Sequence, residues 1–247
     1  MLSLSKRSYK KELLDGADIP FADVQKNMEE LNVINSLLGG HKITVDGVKK
    51  ILQSFPVHQS IIICEIGCGG GDNLKAIEKY CNHHSINASF IGIDIKEDCI
   101  DFARQQYPTL NAQWIVSDYK EVNFTKQPPG IIFSSLFCHH FIEKDIVKML
   151  RWMKENSSLG FFINDLHRHP LAYYSIKLIT AIFSRSYLVK NDAPLSVVRG
   201  FKKREWQMIN SEAGITGYSL QWKWAFRHLI VYVHQEMPLQ VNKFANE

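Results

Sequence analysis

The run Glu65-Ile66-Gly67-Cys68-Gly69-Gly70-Gly71 is where residue types and spacing first point to chemistry. Glycines let the backbone take positive φ and let a ligand come close to the main chain. Asp72 and a helical pattern follow, and a helix start offers free N–H groups and the positive end of its dipole. A nucleotide-like ligand suits such a loop at the carboxyl end of a strand. The third glycine of a dinucleotide fingerprint is absent, because Gly67-x-Gly69-x-x is followed by Asp72. Glu65 and Asp72 repel phosphates and suit a cation. A glycine-rich turn that binds nothing is the plain alternative.

A second set is the histidines. His139 and His140 sit in Ser134-Ser135-Leu136-Phe137-Cys138-His139-His140-Phe141, and His167 in Asp165-Leu166-His167-Arg168-His169. Imidazole titrates near neutral pH and is the common proton carrier. For each of the three, a structural or surface role is the alternative. His167-x-His169 has ligand-like spacing, but spacing offers no third ligand, so no metal is expected.

These side chains need elements to hold them. Val24, Met28, Leu31, Ile34, Leu37 and Leu38 recur at steps of three and four, one face of a helix that Gly39-Gly40 ends. A second helix is expected over residues 45–55, with Pro56 beyond it, and a turn over residues 15–20 before the first. Ile61-Ile62-Ile63-Cys64 is a continuous apolar run, as in a strand buried on both faces of a parallel sheet. Strands are expected at 61–64, 89–95, 113–117, 130–136 and 159–164, and helices at 73–81, 96–106 and 144–154. Five alternations argue for a doubly wound α/β sheet. A helix over 202–213, stopped by Gly214, then precedes two strands, 218–225 and 228–234. They lie so close in sequence that they must pair as an antiparallel hairpin.

The totals exclude several classes. The 247 residues allow one large domain, or a domain with a small cap. A formal charge of +4 is far from the signature of a dedicated nucleic-acid binder. The five cysteines are odd in number and form no C-x-x-C pair, against a disulfide framework or zinc knuckle. Residues 1–11 are basic with no apolar core, and no apolar stretch reaches the roughly 20 residues that span a bilayer. A cytoplasmic protein is expected.

The run E-I-G-C-G-G-G resembles the first motif of class I S-adenosylmethionine-dependent methyltransferases, and the agreement extends over about residues 60–234. That cofactor carries an ammonium and a sulfonium and no phosphate, in keeping with the acids around the loop. The resemblance implies a Rossmann-like seven-stranded sheet of order 3-2-1-4-5-7-6, with strand seven antiparallel. Asp94, ending strand two, would accept the ribose hydroxyls. Asp118 would accept from the adenine amino group, with Tyr119 flanking the ring. The full cofactor set is Glu65, Gly67, Gly69, Gly71, Asp94, Ile95, Asp118, Tyr119 and Leu136.

The fourth strand lacks the Asn/Asp-Pro-Pro-Tyr/Phe of amino- and base-directed DNA enzymes. Its S-x-L-F-x-H-H-F form is similar to small-molecule O- and C-methyltransferases of the ubiquinone and polyketide type. The patterns I-N-S-L-L-G-G-H and D-A-P-L-S-V-V-R-G-F resemble enzymes of aromatic polyketide pathways, implying a lipophilic phenolic acceptor. A phenol, with a pKa near ~10, needs help to ionise at neutral pH, and His139, His140 and His167 are the candidates.

Residues 1–58 are expected as a helical cap and 59–247 as the catalytic domain, with an insertion at about 165–200. The insertion's helix, 171–183, is apolar on nearly every side, so it packs under the cap, lines a pocket, or meets a membrane or partner. Peripheral membrane contact stays open, as does monomer against homodimer. A cofactor-binding protein that acts through a partner without catalysis is the reading from a different class. A C-methyltransferase is another, and a nicotinamide reductase is disfavoured by Asp72 and the hairpin tail.

Overall fold

The computed structural model describes residues 4–16, 19–55, 60–124 and 127–235. The stop at Pro56 and part of the 15–20 turn lie outside them. Seven strands form one sheet: β1 (Ile61–Ile66), β2 (Ala88–Asp94), β3 (Ala112–Val116), β4 (Ile131–Ser135), β5 (Gly160–Leu166), β6 (Ser219–Lys223) and β7 (Arg227–Val233). Their order is β3-β2-β1-β4-β5-β7-β6, as the family resemblance implies. β1 to β5 are parallel, and β7 runs antiparallel to both β5 and β6. The register aligns Glu65 with Gly92, Asp94 with Val116, and Ser135 with Asn164, so the motif-bearing carboxyl ends share one edge.

Among the described residues, eight α-helices accompany the sheet: α1 (Phe21–Leu37), α2 (Gly40–Leu52), α3 (Asp72–His83), α4 (Glu97–Gln106), α5 (Glu143–Asn156), α6 (Pro170–Phe183), α7 (Tyr187–Arg199) and α8 (Lys203–Ala213). On one face Ile43, Val48 and Ile51 of α2 and Leu74 and Ile77 of α3 pack with Ile63, Phe133, Phe162 and Leu229 of the strands. On the other, α5 and α8 bury Ile146, Leu150, Met153, Trp206 and Ile209 against Ile132, Phe161, Ile163 and Ile230. Strands so enclosed on both faces can be apolar at successive positions, which is why β1 reads as a continuous run. All five cysteines are buried and free.

Two expectations need correction. The second helix begins at Gly40, five residues before the expected start, because Gly39 (φ 74°) reverses the chain in a single residue and α2 follows at once. The division at residue 58 does not follow the packing, since α2 covers the sheet. The cap consists of residues 4–16, α1, α6 and α7. α7 escaped the sequence reading because Pro194 lies inside it; the Ser186 hydroxyl caps its start by accepting from the Val189 N–H.

The insertion helix α6 divides its apolar surface. Ala172, Ser175, Ile176 and Ile179 face a cavity under the cap. Leu171, Tyr174, Leu178 and Ile182 form an exposed stripe, each more than 60% exposed. No helix among the described residues is long and apolar enough to cross a membrane.

Gly47 lies mid-helix in α2, where an added Cβ would sit 2.5 Å from the Phe162 ring, itself stacked on Phe133. Alanine in place of a helical glycine ordinarily stabilises by up to ~1 kcal/mol. Here overpacking reverses the sign. Gly47→Ala should cost about 2 kcal/mol and lower the Tm by roughly 4–8 °C in a thermal melt. An unchanged or raised Tm would contradict this packing.

Candidate active site

The loop after β1 is shaped by its glycines. Gly67, Gly69 and Gly71 all take positive φ (66°, 49° and 78°). The N–H groups of Gly67 and Cys68 donate to the Ile93 carbonyl at 2.8 and 3.1 Å, which ties the loop to the end of β2. A Cβ on Gly67 would lie 2.2 Å from the Phe137 ring, so that ring rests directly on the bare backbone. Gly69 is open: only the Met28 sulfur comes within 3.5 Å of its Cβ position. A ligand can therefore approach the main chain there.

Asp94 closes this turn. Its carboxylate accepts from the Gly69 N–H and the Lys96 N–H, each at 2.9 Å, and both oxygens keep further lone pairs. Glu65 is fully buried; Oε1 accepts from Asn73 Nδ2 at 2.9 Å, and Oε2 has no partner. Burial, and next the charge of Asp72, push its carboxyl pKa well above the ordinary value. Asp72 itself is engaged by α2 and α1, with His41 Nε2 at 2.5 Å and Asn35 Nδ2 at 3.2 Å.

Above the loop lies a cavity of about 820 Å³. Gly67 to Gly70, Asp72, Asp94, Ile95 and Leu136 line one end. Met28, Leu31, Ile34, Leu38, Ile176 and Ile179 supply apolar walls. A recess of about 170 Å³ beside it is lined by Asp94, Ile95, Asp118, Tyr119, Phe137 and Phe141 among others. Seven of the nine expected cofactor residues line the cavity or the recess, and the eighth, Gly71, lies one residue back, its N–H donating to the Cys68 carbonyl at 2.9 Å. The ninth, Glu65, lies behind the loop with its free oxygen.

Another part of the cavity wall is polar. His139 and His140 follow β4 in a short turn and face Glu12 from the N-terminal segment. His139 Nδ1 is 2.9 Å from Asp165 Oδ1, and the Asp165 Oδ2 accepts from the His139 N–H at 3.2 Å. Burial raises the Asp165 pKa, but His139, the Leu166 N–H and His140 together outweigh it and leave the carboxyl below its ordinary value. His140 Nδ1 is 3.2 Å from Asp15 Oδ1. Arg199 Nε donates to the His139 carbonyl at 3.0 Å.

His167 is not among the cavity's lining side chains. Its ring lies among His169, His228 and Phe226, centroids 5.7, 4.8 and 6.4 Å away, and burial lowers its pKa. Glu12, Asp15, Asp165, Arg199, Asn35 and Phe137 were missed. Asp165, ending a strand beside the histidines, was the one signal available.

A carboxyl whose folded pKa is raised favours the folded state fully only below its unfolded value of about 4.5, and that advantage is lost as the pH rises. Glu65→Gln removes the charge. It should melt higher than the parent at pH 7 without ligand, the gap closing below about pH 4.5. Parallel melting curves across that range would show that Glu65 carries no such penalty.

A family model described as a methyltransferase domain matches residues 63–157, from β1 to the end of α5. No curated protein matches in sequence. Among solved structures, a plantazolicin methyltransferase in complex with SAH is similar at a TM-score of 0.58 and 18% identity, over 81% of this chain and 83% of that one. The magnesium protoporphyrin IX methyltransferase from Synechocystis PCC 6803, with bound SAM, is similar at 0.52 and 12%, over 88% and 86%. The chain therefore has the class I methyltransferase fold, and its residues 63–157 match a methyltransferase-domain model.

Proposed function

We propose that the protein transfers a methyl group from S-adenosylmethionine to a hydroxyl of a small, partly apolar acceptor of phenolic or polyketide-like character. The observation that carries this reading is one continuous cavity joining the glycine loop and Asp94 to the Glu12–His139–His140 wall through apolar sides. Its size is in the range of small-molecule sites. The similar solved structures hold this cofactor or its demethylated product.

The residues present fit the cofactor. Gly69 leaves its backbone open, Asp94 keeps lone pairs for the ribose hydroxyls, and the buried Glu65 oxygen lacks a partner on the loop's far side. The recess between Ile95 and the Phe137 and Phe141 rings suits a flat base, with Asp118 at its rim. When bound, the cofactor supplies an electrophilic methyl on sulfur. The chain's part is to orient the acceptor along α1 and α6, exclude water beneath the cap, and activate the hydroxyl at the polar wall. The exposed stripe of α6 gives the non-catalytic reading its own support: a surface for a partner.

Calorimetry should show S-adenosylmethionine binding, weakened about 10–100-fold in Asp94→Ala by loss of charged hydrogen bonds. His139→Ala should leave cofactor affinity unchanged and lower kcat/KM for a lipophilic phenol by ~100-fold or more. Binding without turnover on a broad panel of phenols would favour the partner reading. No binding at all would end both.

A further inference from the structure

Glu12, His139 and His140 meet from distant parts of the chain, and their ligand atoms all lie within 4.8 Å of one another. His139 Nε2 is 3.7 Å from Glu12 Oε1, and His140 Nε2 is 3.8 Å from Glu12 Oε2. These separations are too long for hydrogen bonds, so the three groups converge on a point without bonding each other. Donors about 2.1 Å from a tetrahedral metal stand roughly 3.4 Å apart. The two Glu12–histidine separations are within a few tenths of an ångström of that value.

The surroundings match a metal centre. Each imidazole is held through its other nitrogen by a carboxylate: His139 by Asp165 at 2.9 Å, His140 by Asp15 at 3.2 Å. Carboxylate–histidine–metal triads use that arrangement to fix the ring and aim Nε2 at the ion. Glu12 is anchored by the Ser196 hydroxyl, which donates to Oε1 at 2.7 Å. The cluster sets Glu12, Asp15 and Asp165 against the Arg199 guanidinium, 3.9 Å from Glu12 and 3.4 Å from Asp15. Three carboxylates gathered around one guanidinium suit a bound cation.

We propose that Glu12, His139 and His140 bind a divalent transition-metal ion of the zinc or cobalt class, with an open coordination position toward the cavity. Two imidazoles and one carboxylate suit such ions and disfavour magnesium and calcium, which take oxygen ligands. This goes against the expectation from spacing alone, which considered only His167 and His169. It deepens the methyltransferase reading and rests on it for the ion's role: an acceptor hydroxyl at the open position would ionise more readily. Ion binding itself is independent of that reading.

The test uses tag-free protein stripped with a chelator and titrated with Co²⁺. One equivalent should give the visible absorption bands of a low-symmetry nitrogen–oxygen site, and Zn²⁺ should displace it. His140→Ala and Glu12→Gln should abolish the bands, each variant being checked by circular dichroism for its fold. Asp15→Asn should weaken binding about 10–100-fold, and His167→Ala should keep it. Absent bands, or bands that persist in folded His140→Ala, would overturn the proposal. S-adenosylhomocysteine binding, followed in parallel by thermal shift, separates the two claims. If it binds while cobalt does not, the metal site fails and the methyltransferase reading stands. If cobalt binds while it does not, the methyltransferase reading fails.

Discussion

Two buried arginines hold the site together. Arg199, at the end of α7, donates to the carbonyls of His139 and Lys10, at 3.0 and 2.8 Å, and its own carbonyl accepts from Arg7 Nε at 2.9 Å. Arg7 reaches on to the carbonyls of His139 and Phe141 and to Glu143 at 2.9 Å. A guanidinium out of water costs several kcal/mol unless its donors are used, and here they are spent on backbone carbonyls and carboxylates. The result is a stitched seam between the N-terminal segment, the turn after β4 and the insertion. Glu12 reaches the histidines only because that seam exists.

The sheet provides the other half. Parallel strands leave their carboxyl ends open, and the switch between β1 and β4 creates a cleft there. The glycine loop fills it on one side without side chains, letting Phe137 lie on Gly67. The cap then roofs the cleft with α1 and α6. The chain can therefore bury a polar wall and an apolar chamber next to each other, each built from a different layer.

Local signals were legible. The apolar run of β1, the glycine loop, Asp94 at its strand end and the terminal hairpin all follow from short-range pattern, and the structure has them. What sequence hid depends on contacts between distant residues. Glu12 and Asp15 read as charges in a polar segment, yet their partners are His139 and His140, more than 120 residues later. α2 read as cap because its run follows α1, while its buried face belongs to the sheet. His167 shared the motif logic of His139, but β5 ends with Leu166 toward the cavity, and the His167 ring goes to the His228 side.

The central claim is that one cavity brings a methyl donor on the glycine loop against the Glu12–His139–His140 wall. A crystal structure with S-adenosylhomocysteine tests it most directly. The ribose hydroxyls should lie on Asp94, the adenine beside Ile95 and Phe141, and the thioether sulfur open toward His139 and His140. A sulfur turned away from that wall, or a ligand bound outside the cavity, would contradict it.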